Sequence, residues 1–446
     1  MLVLSTAFPP DDKSTGHERG IGVSREWLGA VEAAAAETAA AVREHVGALS
    51  HVPADAPDRP ERLRSFAAEF AARAFRRPLD DVARDAYVEG PFAETTDAAV
   101  ALERSALAVL SSPRFLFREP FTAADGVADP WDTAARLSFG LWDSLPDEAL
   151  RAAARGGGVS TVEDVERHAR RMIDDPRARR KVLEFLLAWL RVDEPREIVK
   201  DPQMHPGFGP EVAADLRRSL ERFLRDVAFP AHRAGAGEDS PPPADYRRLF
   251  TDGEVWINGR LAPLFGVDLP PGAGFRPVLL DGGLRAGVLT HPYMLSVLSS
   301  PGGSSPIHRG VFLPRSILGN VLRPPAEAVA PLAPDLHPGL STRQRVEVQT
   351  GPAACQVCHG VINPLGFTLE AYDAVGRRRA ADGAGPVDDS GGYVPRHGAP
   401  VTFTGARELG VWLATSRDAE EAFLRALYHG LTHDRSEEHT SELQSR

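Results

Sequence analysis

The stretch Cys355-Gln356-Val357-Cys358-His359 decides how the rest of this 446-residue chain is read, and it holds both of the chain's cysteines. Cys-x-x-Cys-His is the spacing of a covalent c-type haem attachment site. Thiols one helical turn apart reach the two vinyl groups of one porphyrin, and the adjacent imidazole lies under the iron as proximal ligand. Covalent attachment also keeps a haem on a small domain that could not enclose it. The expectation is haem c, bound by thioether bonds at Cys355 and Cys358, with His359 on the iron.

Competing readings of the pair are weaker. A thioredoxin-like dithiol expects a strand before it and a helix opening at the first cysteine, whereas the lead-in TGPAA reads as a proline-broken turn. A structural zinc needs two more ligands at a second paired spacing, and the chain has no further cysteine. A disulfide across so short a loop stabilises little.

Both ends of the chain read as interrupted. The tail RSEEHTSELQSR, residues 435–446, resembles a translated sequencing adapter and is set aside from fold reasoning. The start, MLVLSTAFPP, has no basic region, apolar core or cleavage site of a signal peptide. Haem attachment to such motifs takes place outside the cytoplasm, so the expectation is an exported, periplasmic or cell-exterior fragment whose signal is lost.

Length sets a prior of two or three domains. Apolar content of 43% and charge of 25% place the chain among globular proteins. The net charge of −11, with no dominant basic stripe, argues against nucleic acid as a partner. No apolar run is long enough to span a bilayer, so no transmembrane segment is expected.

Along the chain, helical periodicity dominates. Helices are expected over 24–48, 61–75, from Pro78 through Tyr87, 97–110, 131–142, from Pro146, after a Ser160/Glu163 capping box, from Pro176, and over 212–229. Trp142 and Trp189 read as core. Residues 53–60 and 231–244 read as polar linkers. The segment GFRPVLLDGGLRAGVLT suggests a hairpin closed by Asp281-Gly282, and PVDDSGGYVPRHGAPVTFTG another hairpin. Ser341 with Gln344 is placed to cap the helix leading to the haem motif. After His359, Asn363-Pro364-Leu365-Gly366-Phe367 reads as a turn followed by a helix, its backbone carbonyls positioned to accept the His359 ring N–H. The last helices are expected over 406–413 and 419–431.

Several stretches together resemble one group: AFRRPLDD, SSPRFLFRE, ARLSFGLWDSLPDEAL, RRMIDDPRARRKVLEFLLAWLRV, GVLTHPYML, SSPIHRGVFLPRSILGNVLRPP and CQVCHGVINPLGFTLEAYDAVGRRR. They occur in the order found in the planctomycete-type multidomain haem c proteins and cover most of residues 61–434. The resemblance implies haem binding by Cys355, Cys358 and His359, export, and a mainly α fold of multi-helix domains followed by a small cytochrome c-like domain with short hairpins. It supplies no activity. The expected organisation is a helical remnant and linker over 1–60, helical domains over 61–120 and 128–260, and a cytochrome c-type domain over 281–385 containing a proline-rich linker over 323–340. A truncated helical domain over 386–434 and the adapter-like 435–446 follow.

Redox or electron transfer with an unknown redox partner follows from the cofactor. The sixth iron ligand stays open among Met294, His308, His397 and His429. Arg377, Arg378 and Arg379 read as a solvated basic turn or as partners for haem propionates. An enzyme is weakly supported, because Asp147, Glu148, Asp388 and Asp389 form no recognisable acid–base pair. The alternative is an exported binding or scaffold protein in which the cytochrome-like domain is structural.

Overall fold

A computed structural model of the chain describes residues 5–8, 24–117, 129–194, 196–230, 244–320, 339–382 and 385–432. The adapter-like tail, nearly all of the 231–244 linker and most of the proline-rich linker lie outside these residues. The fold is mainly α, with short two-stranded sheets. Two compact units divide it: residues 1–181 with 429–446, and residues 182–428.

The first unit is a set of helices that begin at polar caps. Its elements are α1 (Arg25–Glu44), α2 (Val46–Ser50), α3 (Arg59–Ala74), α4 (Asp81–Arg84), α5 (Gly90–Ala93), α6 (Ala98–Leu110), α7 (Pro113–Leu116), α8 (Pro130–Trp142), α9 (Glu148–Gly156) and α10 (Val162–Ile173). Side chains of Ser24, Asp80, Asp97, Asp129 and Asp147 each accept a backbone N–H of the first turn, which satisfies donors that a helix start leaves unpaired. Two sequence expectations move slightly. The cap of α10 is Thr161 rather than Ser160, and Pro78 precedes the Asp80 cap instead of opening a helix. Leu63, Ala67, Val88 and Leu102 form one core. Trp142, Leu150 and Met172 form another, with the Trp142 indole N–H donating to the Met172 carbonyl at 3.0 Å.

The unit boundary falls within α11 (Pro176–Trp189). The second unit continues with α12 (Pro210–Ala228), α13 (Arg248–Thr251), β1 (Glu254–Ile257), β2 (Arg276–Leu279), α14 (Pro292–Val297), α15 (Pro306–Phe312), α16 (Thr342–Gln349), α17 (Ala353–Phe367), β3 (Ala381–Asp382), β4 (Gly385–Pro386), β5 (Ser390–Tyr393), β6 (Val401–Thr404), α18 (Gly405–Thr415) and α19 (Arg417–Thr432). One hydrophobic core runs from Leu183 to Ala419, and Trp189 packs edge-on against Phe423 within it. That core crosses the boundaries expected near residues 260–281 and 385.

The hairpin expected at Asp281-Gly282 does not form. Strand β2 instead pairs antiparallel with β1, Glu254 opposite Leu279 and Ile257 opposite Arg276, and Asp281–Gly283 makes a short 3₁₀ turn. The reason is packing: Val255 and Ile257 point into the core, which fixes β1 as the partner, while Asp281 turns back to pair with the buried Arg285 at 2.8 Å. The second expected hairpin is present, with β5 and β6 paired from Ser390–Thr404 to Tyr393–Val401.

Candidate functional site

The Cys355–His359 motif opens α17. Proline at 352 precedes the helix, and the first two turns stand at the surface: Val357 is 81% exposed. From Ile362 onward the same helix is buried. The sequence reading placed a turn at Asn363–Phe367 followed by a helix. In the structure α17 runs straight through Pro364 to Phe367, and the segment after Thr368 is turns. Proline inside a helix leaves the carbonyl four residues earlier without its bond. Here that residue is Gly360, which is exposed and so open to water.

Cys355 and Cys358 are both half-buried thiols. They are three residues apart on a helix, hence on one face, and His359 follows four after Cys355 on that face. The ring Nδ1 of His359 lies 2.9 Å from the side-chain oxygen of Asn363. The expected partner was a backbone carbonyl of the Asn363–Phe367 segment. It is a side chain instead, because the continuous helix directs those carbonyls along its own axis. Asn363 is buried, and its amide N–H donates to Thr350 Oγ1 at 2.8 Å. Thr350, also buried, caps the end of α16; its carbonyl accepts the Gln356 amide at 2.6 Å. The helix that holds Thr350 starts at the expected capping box of Ser341 and Gln344.

Two glycines press α17 against α15. A side chain at Gly310 would overlap the Ile362 carbonyl, and one at Gly366 would overlap the Pro306 carbonyl, so the helices cross with opposite chain directions. Glycine at both positions permits this backbone approach. Beneath them Arg309, fully buried, donates to the carbonyls of Leu369, Tyr372 and Asp373 and pairs with Glu370 at 3.2 Å. Arg379 pairs with the other Glu370 oxygen at 2.6 Å and with Asp382 at 3.1 Å, while Arg377 pairs with Asp373 at 2.8 Å. Arg377 and Arg379 are therefore engaged by carboxylates and brace the turns after α17 among themselves, while Arg378 is exposed.

The four sixth-ligand candidates are dispersed. Met294 is in the core of the second unit at 1% exposure. His308 is exposed on α15, between Pro306 and Gly310, and so at the level of Ile362–Gly366 rather than of His359. His397 faces Glu421 at 3.7 Å, and His429 is half-buried on α19. Among the described residues, no group of three or more His, Cys, Asp or Glu side chains is arranged to hold a metal ion. A haem iron held by one imidazole needs no such group.

The donor set fits a c-type haem. Two half-buried thiols share a face with an imidazole whose Nδ1 is engaged by Asn363. The sequence points to Asn363 only through its backbone, and assigns no role to Gln356 or Thr350. A signal for the first was available, since four residues separate His359 and Asn363, but it required a helix across Pro364.

Among the described residues, no helix is long and apolar enough to cross a membrane. Comparison with known families gives two matches. Residues 285–382 match PSCyt3, a protein of unknown function (DUF1588), and residues 128–267 match PSD4, a protein of unknown function (DUF1592). No curated protein and no solved structure matches the chain. Both matching models are of planctomycete-cytochrome-associated domains, and the Cys355–His359 motif lies inside the stretch that matches PSCyt3.

Proposed function

We propose that this chain is an extracytoplasmic c-type haem protein that carries electrons between partners. The observation that carries the reading is the seating of Cys355, Cys358 and His359 on the exposed opening turns of a helix whose other half is locked into the core. When bound there, haem supplies a one-electron iron couple whose potential the protein sets through the axial ligand, hydrogen bonding and burial. Cys355 and Cys358 would hold the macrocycle by thioether bonds. His359 would supply the imidazole ligand, its ring held at Nδ1 by Asn363. The buried Arg309–Glu370 pair and the Gly310 and Gly366 contacts keep the helix from shifting, so electron transfer meets little reorganisation at the histidine. Localisation outside the cytoplasm follows from the chemistry of haem attachment.

The test is a pyridine haemochrome spectrum of the chain exported behind a signal peptide in cells that carry c-type maturation machinery. A c-type band that survives acid–acetone extraction, and is lost in Cys355→Ala/Cys358→Ala, is the expected result. Folded, exported protein without the band would overturn the reading and leave an exported binding or scaffold protein.

A further inference from the structure

We infer that Thr350 and Asn363 form a relay that selects the Nδ1–H tautomer of His359, making both positioning residues for the iron ligand.

The direction of each hydrogen bond follows from the end of the chain that has no choice. The Val346 carbonyl is an acceptor and nothing else. Thr350 Oγ1 lies 2.7 Å from it and must donate its one proton there. Having given up that proton, Oγ1 faces Asn363 as an acceptor. The atom of Asn363 at 2.8 Å from it must then be the amide nitrogen, which fixes the side-chain flip. The other end of the amide is the oxygen, an acceptor, at 2.9 Å from His359 Nδ1. Nδ1 therefore carries the proton, and the lone pair lies on Nε2.

Free neutral histidine in water favours the opposite tautomer, with the proton on Nε2, so the arrangement works against an intrinsic preference. Burial of Thr350 at 3% exposure and Asn363 at 6% keeps water from supplying alternative partners. In low-dielectric surroundings such a chain of bonds is stronger and an unpaired member more costly. The relay also ties the motif together, since the Thr350 carbonyl accepts from Gln356, inside the Cys-x-x-Cys spacing.

The consequence for the iron rests on the haem reading above; the tautomer does not. A ring whose Nδ1–H is donated to a firm acceptor is more basic at Nε2, which favours the ferric state. Asn363→Asp, a charged acceptor, strengthens this donation. It is expected to shift the ratio of reduced to oxidised haem about tenfold toward oxidised at fixed ambient potential, a drop of about 59 mV for one electron. Thr350→Val frees the amide to flip and shifts the ratio the other way, and Thr350→Ser, which keeps the hydroxyl, restores the starting value.

Two measurements decide the matter. The first uses the full chain without haem, labelled with ¹⁵N-histidine, at about pH 9 where an unperturbed imidazole is neutral; the His359 signals are assigned by their loss in His359→Gln. Long-range ¹H–¹⁵N spectra are expected to show protonated Nδ1 in the parent and Thr350→Ser, and a return toward protonated Nε2 in Thr350→Val. The second is a redox titration of the same set with haem attached. Protonated Nε2 in the parent chain, or the same tautomer in Thr350→Val and Thr350→Ser, would overturn the relay. Haem-loaded variants with one shared potential would overturn its tuning role. A parent chain that takes up no haem sinks the haem reading instead, and the first measurement still decides the tautomer.

Discussion

Gly310 on α15 and Ile362 on α17 meet backbone to backbone, so closely that a methyl group on Gly310 would overlap the Ile362 carbonyl oxygen. This contact sits directly before Asn363, the residue that holds the His359 ring. The crossing of two helices thereby sets the position of the His359 ring. A shift of α17 along its axis would pull Asn363 from Thr350, while His359 and Asn363, on the same helix, would move together.

Gly310→Ala is accordingly expected to be costly. Neither neighbour is the flexible end of a side chain, so the helices must separate. The expected loss is on the order of 2–3 kcal/mol, at the upper part of the range for overpacking a tight contact. Urea unfolding measures it. A variant as stable as the parent would show that the helices slide past one another with little resistance, and would remove Gly310 as the fixed point of the site.

Arg309 and Glu370 test the polar floor beneath the same crossing. Both are buried, at 0% and 2% exposure, and Arg309 also donates to carbonyls of the turns after α17 and to the Ser299 hydroxyl. Removing one partner of a buried pair typically costs about 3–5 kcal/mol, because the other charge is left without compensation. Glu370→Leu strands the buried Arg309, while Arg379 keeps Asp382, and should fall in that range. Replacing Arg309 and Glu370 together by Met and Leu should recover part of the loss. A double variant worse than the sum of the singles would mean that the carbonyl bonds of Arg309, not its pairing, hold the turns.

The capping box at Ser341 makes a milder prediction. The Ser341 hydroxyl accepts the Gln344 N–H at 3.2 Å, and the Gln344 side chain accepts the Ser341 N–H at 2.9 Å. Loss of such a cap costs about 1 kcal/mol. Ser341→Ala should lower stability by that amount and raise amide exchange in α16, whose far end carries Thr350. Unchanged exchange there would mean that tertiary packing, rather than the cap, fixes the helix.

Local signals in the sequence were legible where one residue acts on its immediate neighbours. The helix expected over 97–110 is α6 and Ser341 boxes α16 as expected; Trp142 and Trp189 are buried as expected. The misreadings came where distant residues override a local rule. Pro364 signals a turn, yet the packing of α15, and of Gly391 against the Pro364 carbonyl, holds the helix through it. Asp281-Gly282 signals a hairpin, yet the core-facing Val255 and Ile257 claim the strand. Arg377 and Arg379 look like a basic surface turn until the carboxylates of Asp373, Glu370 and Asp382 are placed beside them. Cys355, Cys358 and His359 stand together in the sequence, but the residues that orient the histidine do not, because Thr350 is brought to Asn363 by a helix–helix contact.

The last prediction concerns acid. His291 is 1% exposed; its Nδ1 accepts the Tyr293 N–H at 3.3 Å, capping α14, and its Nε2 faces Ser219 Oγ at 3.3 Å. Burial, with the cation of Arg285 adding to it, pushes the imidazole pKa down to about 3. In the unfolded chain the group has its ordinary pKa of about 6.5. Above that value both states are neutral and His291 contributes no pH dependence. As pH falls below it, the unfolded chain takes up a proton that the fold refuses, so stability declines progressively from about pH 6.5 down to about pH 3. By pH 5 the loss from this residue alone should be about 2 kcal/mol. His291→Gln keeps an acceptor for Tyr293 and a donor for Ser219 but cannot be protonated in this range. Urea unfolding at pH 7.5 and pH 5 should show the parent losing about 2 kcal/mol more than the variant between the two. Parallel losses would mean that the buried imidazole accepts its proton inside the fold, and that the Ser219–His291–Tyr293 arrangement opens well before the protein does.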